Sequence, residues 1–522
     1  MVDASPHSAS SDVSDLAADK NTLHEMGYAQ ELLRGMKTFQ NFAISFSIIC
    51  ILSGCINSFS QGLGSIGGAA IGIGWPVGAL CSLLFAIAMA QIGSAYPTAG
   101  GLYHWSSILG GRGYGWVTAW FNLIGLVTVL AAINVGTYLF LVNGLLPEFG
   151  IDVAPLTPDT PTVLSWLVQA GVVGAITVTQ GLFNHFGIRL TTKVTDLSGY
   201  LIFAGSIILT LCLLAFAPHI DVSRLWTFQN FSGDAGGGVW PQNGNLTSLF
   251  ILCLLLPAYT ITGFDASAHT AEETVNADRA VPKGMIHSVL WSGLFGWAML
   301  CAVIVAAPDL KAAAAQGGSS FFAIVRAIVP LSLRVVLWII IGVAQYACGL
   351  ATVTSASRMI FAFSRDGGLP SSGVLRKVSP KHRTPVAAIW TAVFLATLFT
   401  LYTPVYTTIA AVCVIFLYIS YAMPLAAGLI AYRRTWTRMG PFDIGVWFRP
   451  LAFLCLIACA VLIYAGVQPP NDQALTVTVA VFVVSAAIWF VFERRRFQGP
   501  PMIRNRRTDE QIFTAEHLVG EA

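Results

Sequence analysis

Small polar residues and helix-breaking residues interrupt two apolar segments of the chain at their centres. Ser53, Gly54 and Cys55 lie in the middle of the apolar stretch 42–59, and Pro257-Ala258 and Gly263 interrupt the apolar stretch 249–268. An interrupted helix leaves backbone N–H and C=O groups without partners, which hydrocarbon does not tolerate unless protein, water or a ligand satisfies them. Paired interruptions therefore predict a ligand-binding site in the middle of a membrane.

The composition places these segments in a membrane protein. Hydrophobic residues make up 55% of the 522 residues and charged residues only 10%, whereas about 25% of an ordinary soluble domain is charged. About 20 apolar residues cross a bilayer as a helix. The sequence predicts twelve such spans, at 39–61, 71–95, 113–145, 163–183, 194–217, 246–269, 284–307, 333–362, 385–402, 404–431, 449–467 and 474–493. The expected fold class is therefore all-α and polytopic.

The basic residues test this topology. Alternate sides of the predicted membrane carry 24 and 4 of the lysines and arginines, the four being Arg224, Lys311, Arg326 and Arg334. The richer side, which includes Arg504, Arg506 and Arg507, is cytoplasmic by the positive-inside rule. Both termini are therefore expected in the cytoplasm. The net charge of +3 reflects this topology and does not indicate nucleic-acid binding.

The order of the spans suggests a repeat. Residues 39–217 and 246–431 would each hold five spans, and an odd number gives the two units opposite directions in the membrane. The helices at 449–493 would then be an appendage. Any twelve-helix chain can be divided in this way, so an unrepeated bundle is the alternative. We expect a disordered cytoplasmic tail at 1–26, a transmembrane domain at 27–495 and a second cytoplasmic tail at 496–522.

Three segments in the correct order carry a resemblance to a known family. They are Tyr96–Tyr103 (YPTAGGLY), Gly263–Glu273 (GFDASAHTAEE) and Ser357–Pro370 (SRMIFAFSRDGGLP). They resemble signatures of the amino acid–polyamine–organocation permeases. Gly27–Arg34 (GYAQELLR) and Phe39–Ser47 (FQNFAISFS) are similar to the branch that carries 4-aminobutyrate, choline and other amino acids.

The resemblance implies the leucine-transporter-type fold, in which spans one and six unwind and their half-helix ends meet the substrate. Spans one and six then move against spans three and eight. N–H groups after Ser53 and Gly54 would suit a carboxylate, and carbonyls before Pro257 would suit an ammonium group. Glycine can instead serve close helix packing. The implied substrate-binding residues are Ser53, Gly54, Cys55, Ile56, Pro257, Ala258, Tyr259, Thr260 and Gly263.

Aromatic and charged residues narrow the expected substrate. Tyr259 falls where the superfamily often has an aromatic gate, and its ring can cover an ammonium group. No Asp, Glu, Lys or Arg falls near the middle of spans one, three, six, eight or ten, which argues against a side-chain counterion for a strongly cationic ligand. A zwitterion such as 4-aminobutyrate, or a soft cation such as choline, is therefore favoured over a polyamine.

Charged residues at the end of span six have two interpretations. Asp265 could pair with Arg358 or Arg365 as an inner gate or proton relay. The favoured alternative is that Asp265, His269, Glu272 and Glu273 form a solvated helix end.

Coupling stays open between H⁺ symport, Na⁺ symport and exchange. The lysine that some relatives place in span five is missing from Gly199–Ala204. The hydroxyls of Thr352 and Ser355 could form an ion site with carbonyls of the first interruption, or could bond their own helix.

The expected function is secondary active transport of an amino acid or amine across the plasma membrane. A non-transporting sensor with the same fold is the alternative. An enzyme is not expected, since the sequence has no HExxH motif or nucleophile elbow, and no cofactor or metal site is predicted.

Overall fold

The computed structural model describes residues 6–156, 162–402, 405–503 and 508–519. These ranges form helices and loops and contain no β-strand, which confirms the all-α prediction. Arg504, Arg506 and Arg507, which entered the charge count, lie outside the described residues, as do residues 1–5 and 520–522 at the two ends.

The first half of the chain forms long helices and one helix that is divided into short pieces. In chain order the α-helices are α1 Pro6–Glu25, α2 Thr38–Ile49, α3 Ile51–Asn57, α4 Phe59–Ile66, α5 Trp75–Ala95, α6 Leu102–Gly110, α7 Arg112–Phe140, α8 Val163–His185 and α9 Ile188–Phe216.

The second half begins with another divided helix. Its α-helices are α10 Leu246–Cys253, α11 Leu255–Thr260, α12 Ala266–His269, α13 Ala277–Ala306, α14 Leu310–Ala314, α15 Ser320–Ile328, α16 Leu331–Arg365, α17 Ser372–Leu375, α18 Val386–Tyr402, α19 Tyr406–Ala431, α20 Phe448–Gly466, α21 Asp472–Ile488, α22 Arg494–Arg496 and α23 Asp509–Leu518.

Ten helical segments of the described chain are long and apolar enough to cross a membrane. They are Thr38–Asn57, Ala70–Ala95, Arg112–Phe149, Val163–His185, Ile188–Phe216, Ala277–Ala306, Leu331–Arg365, Tyr406–Ala431, Gly445–Gly466 and Asp472–Arg496. Each coincides with one of the predicted spans. The predicted spans six and nine correspond to the shorter apolar helices Leu246–Thr260 and Val386–Leu401.

Burial separates a central bundle from peripheral helices. The most apolar stretch of Thr38–Asn57 is 89% buried, and that of Asp472–Arg496 only 6%. Side chains such as Phe482 and Phe490 in this last segment are exposed, as expected of a surface that faces lipid. The centre is formed by the two divided helices, around which α7, α13, α16 and α19 pack.

The N-terminal segment differs from the expected disordered tail. Residues Pro6–Glu25 form α1, and Asp19 on this helix accepts hydrogen bonds from the backbone N–H groups of Asn276 and Ala277. Lys20 and His24 contact Glu516 of α23 at 2.8 and 2.7 Å. These tertiary contacts order a segment whose polar composition alone indicated disorder. They also bring the two ends of the chain together.

Candidate functional site

The first interruption lies three residues before its predicted position. Helix α2 ends and α3 begins at Cys50, which has φ 22° and ψ 83°. Ser53, Gly54, Cys55 and Ile56 are all within α3, and the N–H groups of Ser53 and Gly54 donate to Cys50 O. The prediction that Ser53–Cys55 break the helix is therefore wrong. Small residues permitted a break there, but the backbone turns at a neighbouring buried cysteine.

Side chains of α16 satisfy carbonyl groups on both sides of this interruption. Cys348 Sγ donates to Ile48 O at 3.1 Å, and Gln345 Nε2 donates to Leu52 O at 3.0 Å. Backbone carbonyls buried in a membrane must be hydrogen-bonded. Here these two side chains supply the hydrogen bonds that water would otherwise provide. Nothing in the sequence pattern singled out Gln345 for this role, since a polar residue in an apolar span has many uses.

The second interruption is confirmed at Gly263 and lies elsewhere than predicted at Pro257. Helix α11 continues through Pro257 and ends at Thr260. The boundary between α10 and α11 lies at Leu254. Because Pro257 has no N–H, the carbonyl of Cys253, four residues earlier, lacks its usual helical donor. Gly263 has φ 87°, a left-handed backbone conformation that residues other than glycine rarely adopt.

The two divided helices meet at their interruptions. A Cβ added to Gly54 would come within 2.7 Å of the backbone and side chain of Thr260, and one added to Gly263 would come within 2.3 Å of Ile48. Both glycines therefore permit close contact between span one and span six. In this conformation Thr260 occupies the space above Gly54 that was expected to receive a ligand.

The nine predicted substrate-site residues are all buried. Tyr259 packs edge-on against Tyr406, with 5.8 Å between ring centroids. The hydroxyl of Tyr406 lies 3.1 Å from Ser58 Oγ at the end of α3. Tyr406 therefore joins both divided helices to α19, a connection that the sequence did not reveal because the tyrosine lies at the start of a distant span.

The two hydroxyls proposed as an ion site have different surroundings. Thr352 Oγ1 donates to Cys348 O in its own helix at 2.9 Å. Ser355 Oγ is buried, and the described residues give it no hydrogen-bond partner. The face of α16 that carries them approaches the first interruption through Cys348, but neither hydroxyl donates a hydrogen bond to the carbonyls of that interruption in the described residues.

Asp265 does not pair with Arg358 or Arg365. Its carboxylate contacts His269 Nε2 at 3.1 Å and accepts hydrogen bonds from Tyr421 and Asn122. The expected solvated helix end is also wrong, because Asp265, His269, Glu272 and Glu273 are fully buried. The polar residue types indicated exposure, whereas each side chain finds a polar partner inside the bundle.

The two arginines instead bind the two glutamates. Arg358 Nε and Nη2 both lie 2.9 Å from the Glu273 carboxylate, and Arg365 Nη1 and Nη2 lie 2.8 and 2.7 Å from Glu272. Such bidentate pairs have well-defined geometry and join the end of span six to the end of span eight. We call these four residues the ion-pair cluster. The prediction paired these arginines with Asp265, whereas the structure pairs them with Glu273 and Glu272.

Neighbouring groups extend this cluster. Asp366 accepts hydrogen bonds from Tyr28 and Tyr103, both at 2.8 Å. Burial raises the pKa of Glu272, but the Arg365 guanidinium and the N–H of Ala99 lower it more, so that the pKa lies below the ordinary value. Glu272 is therefore ionised at neutral pH and its pair with Arg365 is charged.

Two divided apolar helices that meet inside a helical membrane bundle define the class of secondary transporters. The comparison with known proteins agrees with this assignment. The chain belongs to the amino acid permease family, whose family model matches residues 36–492. It is thus an integral membrane transporter for small amino-acid substrates.

Relatives cover nearly the whole chain. It is 32% identical to the amino-acid permease BAT1 of Arabidopsis thaliana, over 92% of this chain and 95% of that protein. It is 30% identical to a BAT1 homolog of Oryza sativa, over 92% and 94%. The GABA-specific permease of Saccharomyces cerevisiae is 26% identical, over 92% of this chain and 86% of that protein.

Proposed function

We propose that this permease carries a zwitterionic amino acid such as 4-aminobutyrate, or the soft cation choline, across the plasma membrane by alternating access. The observation that carries the proposal is the contact of the two interrupted helices at Gly54–Thr260 and Gly263–Ile48. A ligand that enters this contact separates the helices and meets their backbone ends. The yeast relative named a GABA-specific permease supports the substrate class.

The proposed architecture has twelve spans, as two inverted repeats of five plus two further helices, with both termini in the cytoplasm. Ten long helices and the apolar helices Leu246–Thr260 and Val386–Leu401 occupy the twelve predicted positions. The contact of α1 with Glu516 of α23 supports an even number of spans, because it requires both ends on one side. The first helix of each proposed repeat is the divided one, which supports the repeat.

In the proposed cycle, spans one and six move against spans three and eight. The ion-pair cluster would close the cytoplasmic path while the outer path is open. H⁺ and Na⁺ are the candidate coupling ions, and the buried, unpartnered hydroxyl of Ser355 together with Thr352 remains the candidate position for Na⁺.

Purified protein in liposomes tests the function. Vesicles loaded with unlabelled 4-aminobutyrate, choline or another amino acid should accumulate the same labelled compound by counterflow. Exchange of any one compound supports transport. If none exchanges, under either a proton or a sodium gradient, transport is excluded and the non-transporting sensor is favoured.

Replacing Tyr259 tests whether its ring faces the substrate's ammonium group. A cation–π contact contributes about 0.5–2 kcal/mol, so Tyr259→Ala should raise the KM for a cationic or zwitterionic substrate by about 2- to 30-fold. Tyr259→Phe keeps the ring and should remain close to wild type. Initial uptake rates over a range of concentrations measure both constants, and an unchanged KM in Tyr259→Ala would place the ring outside the site.

A further inference from the structure

Asp265 and His269 form a buried pair immediately after the interruption at Gly263. Their side chains are fully buried, and Oδ2 of the aspartate lies 3.1 Å from Nε2 of the histidine. The other carboxylate oxygen, Oδ1, accepts a hydrogen bond from the Tyr421 hydroxyl at 2.8 Å, and Asn122 Nδ2 donates to Oδ2 at 3.1 Å. An ionisable group at such depth in a membrane protein is expensive and is normally functional.

The contacts of His269 fit a pair that holds one additional proton. Nδ1 lies 3.2 Å from the carbonyl oxygen of Ala99, which can only accept, so Nδ1 must carry a hydrogen. Nε2 faces a carboxylate oxygen, and this contact requires a second hydrogen. Two donors, Tyr421 and Asn122, already point at the carboxylate. The arrangement therefore fits an imidazolium next to a carboxylate, a pair with one proton more than neutral histidine and ionised aspartate.

A second buried histidine, His104, lacks this requirement. Nε2 of His104 lies 3.2 Å from Asp366, and its Nδ1 lies 2.6 Å from Thr98 Oγ1. The threonine hydroxyl can donate to Nδ1, which leaves Nε2–H free to donate to the carboxylate. His104 thus satisfies both contacts as a neutral imidazole. His269 cannot, because a carbonyl takes the place of the hydroxyl.

The pair is connected directly to the interrupted helix. The hydroxyl of Tyr421, which donates to Asp265, accepts a hydrogen bond from the Gly263 N–H at 3.0 Å and lies 3.3 Å from Thr262 Oγ1. A change in the charge of the pair is therefore transmitted to the backbone of the interruption through a single intervening hydroxyl, that of Tyr421.

The groups around the pair are neutral or are already paired with other residues, so the two charges of Asp265 and His269 must balance each other. Helix α19 brings Tyr421 and Cys413 toward Asp265, α7 brings the neutral Asn122, and α2 brings the neutral Asn41 and Ser45 to the next turn. At the end of the same segment, Glu272 accepts a hydrogen bond from the Ala99 N–H and is paired with Arg365. Glu273 is paired with Arg358. Loss of the proton would thus leave a buried, uncompensated negative charge on Asp265.

We propose that Asp265 and His269 form the binding site of the coupling ion and that this ion is a proton. The proposal rests on the proposed transport function. The proton comes from water on the outer side, forms the Nε2–H bond of His269 and is released to water on the cytoplasmic side in each cycle. Because the unprotonated pair is unstable when buried, the proton is exchanged when the interrupted helices part and water reaches the pair.

Proton movement in liposomes of wild-type protein tests the proposal without any variant. A pH-sensitive dye inside vesicles that lack Na⁺ should record acidification when a substrate that shows counterflow is added outside, with about one proton for each substrate molecule. Counterflow without substrate-dependent proton influx would overturn the proposal and leave the transport function intact. Absence of counterflow would overturn the transport function and this proposal with it.

Variants of the pair separate proton binding from substrate exchange. Asp265→Asn and His269→Gln keep hydrogen-bonding groups of similar size but remove the charged pair. Proton influx should fall by about tenfold or more relative to counterflow. His104→Gln is the matched control, since it alters an equally buried His–Asp contact, and its two activities should change in proportion. Proton influx that follows counterflow in all three variants would contradict the proposal.

Tyr421→Phe provides a further measurement if the charge-removing variants do not reach the membrane. It retains the ring and removes the hydroxyl that donates to Asp265. Without this hydroxyl the hydrogen-bonded link from Asp265 to the Gly263 N–H is broken, so proton influx should fall relative to counterflow. An unchanged ratio would contradict the proposed connection of the pair to the interruption.

Discussion

Gly54→Leu should reduce uptake to background, a loss of about a hundredfold or more, as expected when a binding geometry shifts by about an ångström. Even a single methyl group at this position would lie 2.7 Å from three atoms of Thr260, one of them its Cα. Since backbone cannot rotate away as a side chain can, the two divided helices must move apart. The change therefore acts on the contact on which the proposed cycle depends.

The measurement is initial uptake of labelled substrate, normalised to the amount of protein at the cell surface. Gly171→Leu is a matched control, because Gly171 is an exposed helical glycine with nothing within 4 Å of an added Cβ. This control should transport normally, since a surface leucine of a membrane helix faces lipid. Normal uptake by Gly54→Leu would rule out a functional contact between the interruptions.

Much of the fold follows from the sequence because membrane helices obey two simple constraints. Length and apolarity set the segments that span the bilayer, and the structure has helices at all twelve predicted positions. Gly263 could also be located, because its left-handed backbone requires the residue type that the sequence provides. Such features depend on local chemistry, which a single segment contains.

The site could be predicted less well because its partners are distant in sequence. The interruption at Cys50 involves an ordinary apolar residue, and its carbonyls are satisfied by Cys348 and Gln345 about 300 positions away. Likewise, several cations and polar groups at the same end of the bundle could each pair with Asp265. The i,i+4 spacing brings His269 to Asp265, but only tertiary packing brings Tyr421 of α19 to the same carboxylate.

Removal of Arg365 should be the most destabilising single change in the ion-pair cluster. Arg365→Ala leaves the Glu272 carboxylate buried, charged and unpaired, and breaking a buried pair from one side costs about 3–5 kcal/mol. The stacking of the guanidinium over the Tyr28 ring, at 3.9 Å from its centroid, is lost as well. We expect the melting temperature of the purified protein to fall by several degrees and uptake to fall as well, because one of the two ion pairs that join the ends of spans six and eight is lost.

A double variant distinguishes the effect of the ion pair from the effects of the individual side chains. Glu272→Gln with Arg365→Gln removes both charges, so no isolated charge remains buried, and this double variant should be more stable than Arg365→Ala. Glu25→Gln is the control, since Glu25 and Arg438 form an exposed pair at 3.4 Å and such pairs contribute about 0–1 kcal/mol. If Arg365→Ala melts no lower than Glu25→Gln, the ion-pair cluster does not stabilise this end of the bundle. If the double variant also recovers substrate exchange, closure does not need the ion pair itself. It then needs only that neither charge is left buried without its partner.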